Sequence, residues 1–131
     1  LMNYSIKLFK EQKKQLEKDL QKYSESEESK QLNKSKIDEI MIDLCILKEN
    51  FAYTYNSRGF VRRRKKLYKK AALDFKISIE MNDNELAYNN LGVLYMDNLE
   101  DYDESYKILK EGHKIHKDNP KILSNLTLVH P

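Results

Sequence analysis

One pattern occurs twice in this 131-residue chain, one helical hairpin apart, and that repetition constrains the fold more than any other feature. Internal repeats are read first because they decide whether a chain closes round one core or stacks like units. In residues 86–120, Tyr88, Leu91, Gly92 and Tyr95 fall on one face of a helix. Gly92 sits mid-helix, where glycine costs roughly 1 kcal/mol relative to alanine, so a close helix approach is expected there. The polar run Asp97–Asp101 interrupts the periodicity. A second apolar stripe follows, Tyr102, Tyr106, Leu109 and Ile115, with small Ser105 and Gly112 between its members. Lys117-Asp118-Asn119-Pro120 ends that helix, since the residue before proline disfavours the α region.

The earlier copy holds Tyr55, Gly59, Ala71 and Phe75, and Gly59 precedes Gly92 by 33 residues. A third copy in the same phase starts at Pro120 and places Leu123, Asn125 and Leu126 where the second has Tyr88, Asn90 and Leu91. These residues resemble the tetratricopeptide repeat, W-x2-L-G-x2-Y followed by A-x3-F and a helix-ending proline. The second copy matches at Tyr88, Leu91, Gly92, Tyr95 and Leu109. It departs by Ser105 for alanine, by Lys117 for proline and by one extra turn residue. The first copy departs at Arg58 and Arg62, where the pattern has apolar or aromatic residues. The resemblance implies an all-α, right-handed solenoid of helical hairpins. Residues 1–50 form N-terminal flanking helices or a degenerate repeat, 51–84 and 85–119 are repeats, and 120–131 begins a third repeat or a capping helix.

Before the repeats, residues 3–23 read as a helix with Tyr4, Leu8, Leu16, Leu20 and Tyr23 near one face. Ser24 to Lys34 reads as a polar loop, and Ser35 as the cap of the next helix, with Asp38 three residues on. Ile37, Ile40, Met41, Leu44, Cys45 and Leu47 mark that helix as well buried, with an inert thiol at Cys45. The repeat phase asks for a reversal near Glu49-Asn50. One helix over 35–66 is the competing reading, because no Gly or Pro forces a break. Asp83 or Asn84 caps the following helix.

No apolar run reaches the roughly 18 residues of a membrane span, and the start lacks the charged, apolar and small sequence of a secretion signal. A single cysteine excludes an internal disulfide and suits a reducing compartment, so an intracellular, cytoplasmic setting is expected. Leu1 at the start and an ending inside a repeat read as a piece of a longer protein.

Charge is segregated. Residues 1–50 balance, residues 51–81 carry 9 basic groups against 2 acidic, and residues 82–119 carry 4 against 9. The basic run Arg62, Arg63, Arg64, Lys65, Lys66, Lys69 and Lys70 lies at a helix end and turn, where the helix dipole favours cations. Neutralisation by the acidic turn of the next repeat (Asp97, Glu100, Asp101, Asp103, Glu104) is the expectation. An acidic protein and, less favoured for want of aromatic platforms, nucleic acid are the alternatives. His113 and His116 are spaced to share a metal, but no cysteine or third histidine nearby completes a set and His130 is remote, so no metal site is expected. The acidic run lacks the order and the glycine of a calcium loop. No nucleophile elbow, phosphate-cradling loop or HExxH occurs, so neither enzyme activity nor a cofactor is expected.

The resemblance to tetratricopeptide repeats implies a protein-interaction module whose first helices line a groove for a peptide or helix of a partner protein. Carried onto this chain, the lining residues are Asn56, Phe60, Arg63, Arg64, Asn89, Asn90, Val93, Met96 and Lys121, joined by Tyr53, Leu86, Asp97, Ser124 and Leu128. Asn56, Phe60 and Asn125 stand where a clamp for chaperone tails needs Lys, Asn and Arg, so that clamp is not expected. A groove filled by the chain's own N-terminal helix, self-association as a homo-oligomer, and a nucleic-acid-associated or regulatory role for residues 62–70 stay open.

Overall fold

The computed structural model describes residues 2–129, and among them all regular structure is helical. Seven helices follow in order: α1 (Met2–Tyr23), α2 (Glu27–Leu32), α3 (Lys34–Arg64), α4 (Tyr68–Met81), α5 (Glu85–Asp97), α6 (Tyr102–Ile115) and α7 (Pro120–Val129). The chain divides into two compact units, one ending at Phe51 and one beginning at Ala52. No helix of the described residues is long and apolar enough to cross a membrane.

In the N-terminal unit the buried face of α1 is set by Ile6 and Phe9, with Leu16, Leu20 and Tyr23 half-buried. These positions step by three, seven, four and three, which keeps them on one side of a 3.6-residue helix. Tyr4 and Leu8, expected on that face, lie about a third of a turn away and are exposed. Phe9 stacks on Phe51 with ring centroids 4.5 Å apart. The expected loop at 24–34 contains a helix instead. Ser26 supplies the reason, its hydroxyl accepting from the Ser29 amide at 3.0 Å. Asn33, not Ser35, stands before α3, and its carbonyl accepts from the Ile37 amide.

The expected break near Glu49-Asn50 is absent, and α3 is continuous over Lys34–Arg64. Its inward positions, Ile40, Leu44, Ala52, Tyr55, Asn56 and Gly59, keep helical register throughout, and no Gly or Pro near Glu49-Asn50 opposes it. Met41 and Cys45 face outward, so this helix is less buried than its composition implied and the thiol is exposed.

The core of the C-terminal unit is built by small residues facing large ones. A side-chain carbon placed on Gly59 would lie 2.7 Å from the Phe75 ring, one on Gly92 2.4 Å from Leu109, and one on Gly112 2.9 Å from Tyr88 Cβ. Ala71, Ala72, Phe75, Leu91, Leu94 and Tyr95 form one buried cluster, and Tyr88, Leu109, Ile122 and Val129 a second. Tyr102 and Ile115, expected inside, are about half exposed, because Ser105, Leu109 and Gly112 form the inward face of α6. Ser105 then reaches across to the Gly92 carbonyl at 2.7 Å, and Ser78 to that of Ala52 at 2.6 Å. Asn84, Asp101 and Asn119 cap α5, α6 and α7 through their side-chain oxygens.

Candidate functional site

The first turns of α5 and α7 enclose a cleft of about 360 Å³ lined by Glu85, Leu86, Asn89, Asn90, Asn119, Pro120 and Lys121. Asn119 orients its mouth: its oxygen caps α7 at the Ile122 amide (2.9 Å) while its amide donates to Glu85 Oε2 (2.9 Å). His116 flanks the same carboxylate, with Nδ1 3.4 Å from Glu85 Oε1 and Nε2 against the Asp83 carbonyl. Tyr88 is buried on the same helix as Glu85 and donates its hydroxyl to Asp83 at 3.1 Å. Burial, reinforced by the carboxylates of Asp83 and Glu111, pushes the Tyr88 phenol well above the usual tyrosine range.

Of the groove residues carried over from the repeat resemblance, Leu86, Asn89, Asn90 and Lys121 come together in this cleft. Asn56 does not line the cleft. It is buried and accepts a hydrogen bond from Asn90 at 3.1 Å, and Asn89 in turn accepts from Asn125 at 2.6 Å. The two pairs orient Asn89 and Asn90, and each amide retains further donor or acceptor capacity. Val93 is half-buried and Met96 packs against the second core cluster. Phe60 and Arg64 are exposed on α3 and do not line the cleft.

The basic run is smaller than its sequence suggests. Arg62 turns inward and, with Arg58, holds the fully buried Asp74 at 2.8–3.2 Å. A buried carboxylate requires such pairing, which accounts for arginine at two positions where the repeat pattern has apolar or aromatic residues. Arg63 donates to Asn98 at 2.6 Å and approaches Asp97 at 3.9 Å. Arg64, Lys65, Lys66, Lys69 and Lys70 remain exposed. The expected neutralisation between turns is therefore limited to that one Arg63–Asp97 contact among the described residues.

Glu85 and Asn119 were missed as cleft residues. The available signal was the spacing of Glu85 to Asn119, which matches that of Asn56 to Asn90. His113 and His116 do not share a ligand point, since His116 is engaged with Glu85 and Asp83. No group of three or more His, Cys, Asp or Glu among the described residues is placed to hold a metal, and His130 lies outside those residues. No protein-family model, curated protein or solved structure matches the chain.

Proposed function

We propose that the chain is a protein-interaction module of the tetratricopeptide type, a right-handed solenoid of helical hairpins that holds a peptide or helix of a partner protein without catalysis. The cleft between α5 and α7 carries this reading. It gathers Asn89, Asn90 and Lys121 with apolar Leu86, a mixture suited to a peptide backbone and one apolar side chain. The spacing of the tertiary hydrogen bonds supports the repeat: Asn56 to Asn90 and Glu85 to Asn119 are 34 apart, Arg63 to Asn98 is 35 and Asn89 to Asn125 is 36. An intracellular, cytoplasmic setting fits the lone exposed thiol of Cys45. The regulatory or nucleic-acid reading of residues 62–70 loses ground, because Arg62 and Arg63 are engaged within the fold.

Selection from a displayed peptide library tests the proposal. Peptides that bind the wild-type chain are expected to bind Leu86→Glu and Lys121→Glu at least about tenfold more weakly, or about 1.4 kcal/mol. Both positions are exposed, so folding is retained. Peptides held equally well by both variants would place recognition elsewhere.

A further inference from the structure

We infer that the turn edge of the C-terminal unit is a self-complementary charged surface on which a second copy of this chain docks about a two-fold axis. The edge consists of the α3–α4 turn and the α5–α6 turn, made neighbours by the bond from Arg63 to Asn98. The first turn exposes Arg64, Lys65, Lys66, Lys69 and Lys70, and the second exposes Glu100, Asp101 and Asp103. No ion pair joins these two sets among the described residues, so the adjacent charges do not neutralise one another within the fold.

Both turn tips also carry a backbone cost. Lys66 and Glu100 occupy the left-handed region, with φ of 62° and 51°. Bonds from the Lys66 amide to Arg63 and from the Leu67 amide to Arg62 close the first turn around that conformation. The left-handed region is costly for a residue with a side chain and open to glycine. Glycine would close either turn more cheaply, yet the two tips hold charges of opposite sign at corresponding places. Each tip is flanked by an exposed apolar side chain, Leu67 in the first turn and Tyr102 in the second.

A positive tip beside a negative one is a poor seat for a polyanion, which would meet Glu100, Asp101 and Asp103 on leaving the lysines. The same edge turned through a two-fold axis presents the reverse order of charge, so basic turn meets acidic turn twice over. Leu67 of each copy then approaches Tyr102 of the other, giving the charged rim an apolar centre. The peptide cleft lies at the opposite end of α5, so this interface does not depend on it.

The test is sedimentation of the whole chain over a range of concentrations, at ionic strengths of about 0.01 M and about 1 M, where the Debye length falls from about 30 Å to about 3 Å. At low salt the mass is expected to rise towards twice 15.6 kDa, and at high salt to stay at that of one chain. Lys65→Glu/Lys66→Glu/Lys69→Glu and Glu100→Lys/Asp103→Lys should each be monomeric alone, and their equimolar mixture should dimerise at least about tenfold more tightly than either, a gap of about 1.4 kcal/mol. Lys66→Gly serves as a variant relieved of backbone strain, expected to fold more stably while dimerising less. A wild-type chain that is monomeric at every concentration in low salt would overturn the inference. So would dimers that persist in either reversed variant, or a mixture that stays monomeric. Oligonucleotide binding lost in the lysine variant and unchanged by Glu100→Lys/Asp103→Lys would assign the basic turn to nucleic acid instead.

Discussion

Asp74 shows how a single residue rewrites a repeat. Its carboxylate is fully buried and is held by two arginines one helical turn apart on α3. Removing it strands two guanidinium groups, so Asp74→Ala should cost about 3–5 kcal/mol in urea unfolding. Replacing all three members by apolar side chains (Arg58→Leu, Arg62→Tyr, Asp74→Leu) should recover most of that loss; a triple variant no more stable than Asp74→Ala would show that the network does more than satisfy itself. Lys66→Gly should raise stability by about 1 kcal/mol, the left-handed strain relieved less the entropy that glycine adds to the unfolded chain. A lower unfolding midpoint would contradict this strain. Tyr88 sets an alkaline limit. Its phenol loses a proton more readily in the unfolded chain than in the fold, as does that of Tyr55, which burial also raises. Stability should therefore be level up to about pH 9 and decline above about pH 10, where unfolded tyrosines ionise. Tyr88→Phe should flatten that decline, and an unchanged pH slope in urea titrations of the variant would remove Tyr88 as its source. At this scale the sequence announced the anomalous Arg58 and Arg62 but not their cause, since nothing local distinguishes Asp74 from a surface aspartate.

Helices, by contrast, were legible where the apolar stripe and the inward positions coincide. Tyr88, Leu91, Gly92 and Tyr95 of α5 are all buried, as their spacing requires. Misreadings arose where apolar residues outnumber inward positions: Tyr4 and Leu8 on α1, Met41 and Cys45 on α3, Tyr102 and Ile115 on α6. Hydrophobicity alone cannot say which of two adjacent stripes turns inward, and the continuity of α3 depends on register rather than on any breaker residue. The Gly92–Leu109 contact is the sharpest element-level test. Gly92→Ala pushes a methyl into Leu109, and overpacking of this kind typically costs about 1–3 kcal/mol. Pairing it with Leu109→Ala should restore part of the loss, seen as a favourable coupling energy in a double-mutant cycle. Purely additive losses would mean that the two helices do not meet as described.

For the molecule as a whole, the cleft was half legible. The resemblance to the tetratricopeptide repeat led to Leu86, Asn89, Asn90 and Lys121, which line it. It could not show that Asn56 would be buried against Asn90, because a polar residue on an interior helix face looks the same whether it binds a ligand or a neighbour. Glu85, Asn119 and His116, drawn from three separate helix ends, become a set only once those ends are packed. The central claim is that recognition occurs in this cleft. Its most direct test is the pattern of backbone amide chemical-shift changes when a selected peptide is added to the isotope-labelled chain. Changes concentrated at Glu85–Asn90 and Asn119–Lys121, absent in Lys121→Glu, are the expected result. Changes centred on residues 64–70, or within the unit that ends at Phe51, would contradict it.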